Sequence, residues 1–130
     1  GIETIPMGYI LVDGDRQSAV ERVSGCTPIA HQAVADVVSH AVAGQLLGKQ
    51  LIYIEAGSGA KTPVSIDTIR AVRQAIDLPL IVGGGVTSEE QMLAAFSAGA
   101  NIVVIGNHFE QHPEDLPRFL QAKHSYVRNN

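Results

Sequence analysis

Tyr53 and Glu55 stand two residues apart in the stretch LIYIEAGSGA, residues 51–60. The first five residues read as an apolar strand, so the phenol and the carboxylate point to the same face. The strand runs into Gly57, Ser58 and Gly59, too bare to shield a charge. A buried carboxylate without a partner is costly. Two readings of Glu55 stand side by side. It forms an ion pair with a Lys or Arg of a neighbouring strand, or it accepts a hydrogen bond from a substrate hydroxyl beside a phosphate held at residues 57–59.

Two more apolar runs end in glycine: VGGGV at residues 82–86 and IGN at residues 105–107. In a β/α barrel the loops after the strands carry the active site, and the last two often hold phosphate. Glycine lets backbone approach an anion, and free amides supply positive potential. Any one such loop is as well explained as a tight turn; three in succession on one face point to an anion. The run is not a nucleotide P-loop, because no GK[ST] follows. The GxGxxG fingerprint with its ribose-binding acid is missing too.

These loops need elements to hold them. Residues 8–12 (GYILV) read as a first strand, and residues 13–25 as a polar loop. Thr27 and Pro28 read as N-cap and first turn of a helix. Its stripe is Val34, Val37, Val38, Ala41 and Val42, and Gly48 ends it. The second strand is Leu51 to Glu55, followed by a helix with Ile66, Ile69, Val72 and Ile76 on one face. The third lies around residues 80–82. Thr87 and Glu90 read as a capping box for a helix that stops at Gly99. Residues 101–107 read as the fourth strand. A last helix starts near Pro113 and carries Leu116, Phe119 and Leu120; the final YVRNN is expected to fray. The pattern is four βα units in one domain, residues 1–130, with no linker. Near-continuous apolar strands imply a parallel sheet covered by helices. An open doubly wound sheet and part of a (β/α)₈, TIM-type barrel both fit. In the second case the strands run parallel in sequential order, with all three glycine loops at one end.

The 130 residues carry a net charge of −4 and offer no basic stripe, which argues against nucleic acid as partner. No run approaches the length of a membrane-spanning helix. The chain opens on Gly1, which leaves room for a lost upstream segment, and no signal peptide is expected. The single cysteine, Cys26, excludes an internal disulfide and a cysteine metal site, and suits the cytoplasm. The five histidines are read as surface or loop residues, with no helical pair spaced for a metal.

YIEAGSG, then VGGG, then GN in consecutive units resembles the geranylgeranylglyceryl phosphate synthase family, including its bacterial heptaprenylglyceryl-type members. The likeness extends upstream through IPMGYILVDG and covers nearly the whole chain. It implies a barrel enzyme that joins sn-glycerol 1-phosphate to a polyprenyl diphosphate, releasing diphosphate and using Mg²⁺. Carried over, Tyr53, Ile54, Glu55, Ala56, Gly57, Ser58 and Gly59 form the glycerol-phosphate site. Gly83, Gly84, Gly85, Gly106 and Asn107 hold the phosphate. Glu55 binds a glycerol hydroxyl and helps deprotonate it, and the Tyr53 ring face stabilises charge on the allylic carbon. A homo-oligomer and peripheral membrane contact for the lipid substrate are also expected. The chain corresponds to the second half of such a barrel, and the aspartate-bearing first strand that helps bind Mg²⁺ has no counterpart. It is therefore read as a fragment that keeps the phosphate cradle but not catalysis, with no metal ligands of its own. Rival readings are another phosphate-binding barrel enzyme (a sugar-phosphate isomerase or a flavin-dependent oxidase) and a non-catalytic half-barrel module that pairs with itself.

Overall fold

A computed structural model describes residues 1–129. Four strands, β1 (Met7–Leu11), β2 (Leu51–Glu55), β3 (Leu80–Gly83) and β4 (Ile102–Val104), form one sheet in the order β1-β2-β3-β4. Every pairing is parallel. The sequential order removes the strand-order reversal of a doubly wound sheet and leaves the barrel-type arrangement. Its helices are α1 (Ala19–Ser24), α2 (Val34–Leu46), α3 (Ile66–Ala75), α4 (Glu89–Ser97), α5 (Asn107–Gln111) and α6 (Leu116–Asn129). None is long and apolar enough to cross a membrane among the described residues.

The strand period of two divides the sheet into unlike faces. Ile52, Ile54, Leu80 and Val82 are fully buried against Val37, Ala41, Ile69 and Val72 of α2 and α3. Alternate positions turn the other way. The register aligns Tyr9 with Tyr53, and Leu11, Glu55, Gly83 and Val104 in one row. On this second face Tyr9, Ile102 and Val104 stay 41–50% exposed. One face thus makes the core, and the other carries Tyr53 and Glu55.

The structure redraws several local boundaries. The loop read over residues 13–25 contains α1, started by a full capping box: the Ser18 hydroxyl accepts from the Glu21 N–H, and the Glu21 carboxylate accepts from the Ser18 N–H. Thr27 and Pro28 do not open a helix. Ile29 bridges Val12 instead, donating its N–H to Leu11 and accepting from Asp13, so α2 begins only at Val34. The cap of α4 is Ser88, one residue past Thr87; Gln91 binds back to the Thr87 N–H. The fourth strand is three residues long, and Asn107 already begins α5. Pro113–Asp115 is a 3₁₀ turn before α6. Tyr126 to Asn129 continue α6 rather than fray, and Asn130 lies outside the described residues.

The α1 capping box gives a bounded expectation. Ser18→Ala keeps the Cβ that packs on Gly57 but loses the hydroxyl acceptor. A lower melting temperature equivalent to about 1 kcal/mol is expected, read by thermal denaturation beside the unaltered protein.

Candidate functional site

The glycine loops after β2, β3 and β4 meet at one end of the sheet around a cavity of about 270 Å³. Its wall takes in Tyr9, Tyr53, Glu55, Ser58, Gly59, Gly84, Gly85, Gly106 and Asn107. Glu55, at the last position of β2, is 8% exposed. Its Oε2 accepts from the Tyr53 hydroxyl, and its Oε1 accepts from the Gly57 N–H at 2.8 Å. Among the described residues it has no Lys or Arg partner. The cross-strand ion pair is therefore not what holds this carboxylate. A neighbour on its own strand and a backbone amide do so.

The triple glycine has a local cause besides any ligand. A Cβ on Gly83 would stand 2.5 Å from the Tyr53 hydroxyl and 2.9 Å from Glu55 Oε2. One on Gly84 would stand 2.6 Å from Glu55 Oε1 and 2.8 Å from the Gly57 nitrogen, and the Gly84 φ of +86° already disfavours a side chain. The first anion these glycines admit is thus the protein's own carboxylate. Beyond it, the N–H groups of Gly59, Gly84, Gly85 and Gly106 donate to no acceptor among the described residues. Gly59, Gly84 and Gly85 are half-buried and Gly106 is exposed; half-buried amides without an acceptor suit an anionic guest. The Ser58 hydroxyl donates to Asn107 Oδ1 at 2.7 Å, tying the second loop to the fourth.

Of the residues singled out in the sequence, Ile54 and Ala56 do not face the cavity. Ile54 is fully buried in the helix-side core, and Ala56 is buried with its N–H donated to Gly83. Gly57 and Gly83 sit behind the wall as supports for Glu55. Three residues escaped the sequence reading. Tyr9 lies beside Tyr53, ring centroids 5.3 Å apart and planes at 76°. Its alignment with Tyr53 was the missing signal, visible only once the register is known. Arg16 donates to the Gly59 carbonyl at 3.3 Å from the loop after β1. His108 lines the cavity, and its Nε2 meets Asp115 at 2.8 Å. His108 lies on α5 and His112, four residues on, is its C-cap with non-helical backbone, their rings 5.3 Å apart, so the HxxxH spacing occurs in the sequence but not within one helix. It builds no metal site: no three His, Cys, Asp or Glu side chains among the described residues gather to hold an ion.

Burial first, then the hydrogen bond and charge of Glu55, push the Tyr53 phenol well above its ordinary value. Burial and the same charge raise Tyr9. Both phenols keep their protons at neutral pH, so Tyr53 is the donor to Glu55. A folded value above the unfolded one stabilises the fold fully below about pH 10, and that stability is lost as pH climbs through the raised value. Alkaline difference spectra of unaltered protein against Tyr53→Phe should show the Tyr53 phenolate forming later than a free phenol. Ionisation near the free value would contradict the Glu55 contact.

The sequence matches the PcrB family over residues 1–123. It is 47% identical over 118 residues to geranylgeranylglyceryl phosphate synthase of Spirosoma linguale, covering 91% of this chain and 47% of that protein. The chain spans about half the length of the curated relatives it matches. The wild-type enzyme of the same abbreviation, GGGPS, from Thermoplasma volcanium superposes with a TM-score of 0.85 at 36% identity, over all of this chain and 51% of that one. The (S)-3-O-geranylgeranylglyceryl phosphate synthase of Thermoplasma acidophilum, solved with its substrate sn-glycerol-1-phosphate, gives 0.77 at 38% identity. That match covers 82% of this chain and 42% of that one.

Proposed function

The chain belongs to the PcrB family, and we propose that it supplies the glycerol-phosphate half of a prenyltransferase. In this reading residues 1–130 are the C-terminal half of a (β/α)₈ barrel. The reaction joins sn-glycerol 1-phosphate to a geranylgeranyl or longer polyprenyl diphosphate. The glycerol hydroxyl oxygen bonds to C1 of the prenyl group as the bond from C1 to the diphosphate oxygen breaks. Diphosphate leaves, and the hydroxyl proton passes to Glu55.

One observation carries the reading: a single buried carboxylate, aimed by Tyr53 and Gly57, borders a cavity walled by undonated glycine amides. A phosphate beside Glu55 would be repelled, whereas a hydroxyl there gives a charge-assisted hydrogen bond. The amides of Gly59, Gly84, Gly85 and Gly106 suit the phosphate, with Asn107 beside them. The Tyr53 ring, turned edge-to-face with Tyr9, offers π density to positive charge on the allylic carbon. Mg²⁺ on the diphosphate, homo-oligomer formation and peripheral membrane contact belong to the same proposal through the family resemblance, and a cytoplasmic setting through the lone Cys26. The test is an assay of the full-length protein with sn-glycerol 1-phosphate and polyprenyl diphosphates of graded length, reading ether product by mass and diphosphate by release. Calorimetry without binding of sn-glycerol 1-phosphate would refute the reading.

A further inference from the structure

The cavity wall presents one carboxylate and no Lys or Arg. A guest carrying phosphate therefore needs charge from just outside it. The loop after β1 brings one there. Arg16 Nη1 lies 3.3 Å from the Gly59 carbonyl, and a Cβ on Gly59 would meet that nitrogen at 2.9 Å and Asn107 Nδ2 at 3.5 Å. The guanidinium thus stands at the carbonyl of Gly59, the residue whose N–H belongs to the cradle.

Its placement is built rather than incidental. The Gly14 carbonyl accepts from the Lys61 N–H at 2.9 Å and the Thr62 N–H at 3.3 Å. The Thr62 hydroxyl donates to Asp15, which takes a φ of +59°. The two loops are thereby clasped immediately before Arg16. Arg16 forms no ion pair among the described residues, and its one hydrogen bond is long. Most of its five donors remain for a partner, in the fork geometry that matches phosphoryl oxygens.

We propose that Arg16 is an anion-binding residue of this site, closing over a phosphoryl group seated on the Gly59 and Gly84 amides. The inference rests on the proposed phosphate cradle and adds the cation that cradle lacks. The group is either the phosphate of glycerol phosphate or the diphosphate of the prenyl donor, which share this chemistry.

The experiment uses the full-length protein with Arg16→Gln and Arg16→Lys. Glutamine can still donate to the Gly59 carbonyl but carries no charge, so it separates holding the loop from binding the anion. Because Arg16 is exposed, both variants should melt as the unaltered protein does. Affinity for inorganic phosphate and for sn-glycerol 1-phosphate, by calorimetry, is expected to fall about 10- to 100-fold in Arg16→Gln, with partial recovery in Arg16→Lys. A loss confined to the Michaelis constant of the prenyl diphosphate would assign Arg16 to the diphosphate and still support the proposal. Arg16→Gln with unaltered affinity and Michaelis constants for all three ligands would overturn it while leaving the cradle intact. Unaltered protein that binds neither phosphate nor glycerol phosphate would overturn the cradle, and Arg16 with it.

Discussion

In the full-length protein, Glu55→Gln is expected to lower turnover by ~10²–10⁴, the scale of losing a general base. The substitution is nearly isosteric. The amide oxygen can keep the Gly57 N–H, and the amide nitrogen can donate to the Tyr53 hydroxyl, which then turns to accept. Both local hydrogen bonds survive in modified form, so the fold should persist while the proton acceptor is gone. If Glu55 only orients the alcohol, the loss will be smaller and shared with the Michaelis constant for glycerol phosphate. Turnover and affinity near those of the unaltered enzyme would remove Glu55 from the reaction. A lowered melting temperature alone would make it a structural group. Kinetics and melts measured together separate these outcomes.

The fold was largely legible because its periodicities are strong. Apolar strands, glycine loops and helical stripes alternate four times, and the parallel sequential sheet follows from that pattern. Boundaries failed where tertiary contacts outweighed local signals. Thr27 and Pro28 carry a helix-start signature, yet Ile29 spends its N–H and carbonyl on the β1 loop. Propensity cannot foresee that exchange, because the partner is remote in sequence. The site was legible in the same uneven way. Glu55 stood out because a carboxylate at the end of an apolar strand needs a partner. The partner found is Tyr53, two residues away, and not the basic residue of another strand weighed against it. Arg16 and Tyr9 could not be read, since each joins the site only through the register of β1 on β2.

The glycines divide into those that admit the protein's own atoms and those that leave room for a guest, and substitution should tell them apart. Gly84→Ala is expected to cost about 2–6 kcal/mol, adding a left-handed backbone at ~1–3 kcal/mol to overpacking at ~1–3 kcal/mol. The new methyl would press on Glu55 Oε1 and the Gly57 peptide, so Glu55 would shift and its hydrogen bond to Gly57 would break. Stability, phosphate affinity and turnover should fall together. Gly48→Ala is the control for conformation alone: φ is +78°, yet no atom lies within 4 Å of the added Cβ. It should lose only the backbone part and leave ligand binding untouched. Gly106→Ala is the opposite case. Its φ is −106° and its Cβ would also meet nothing within 4 Å, so the melting temperature should hold. Only a ligand seated close to the fourth loop can make that methyl costly. A Gly106→Ala protein that keeps its stability but loses phosphate affinity would locate the anion by what it excludes. Unchanged affinity would move the anion away from the fourth loop, toward Gly59 and Gly84.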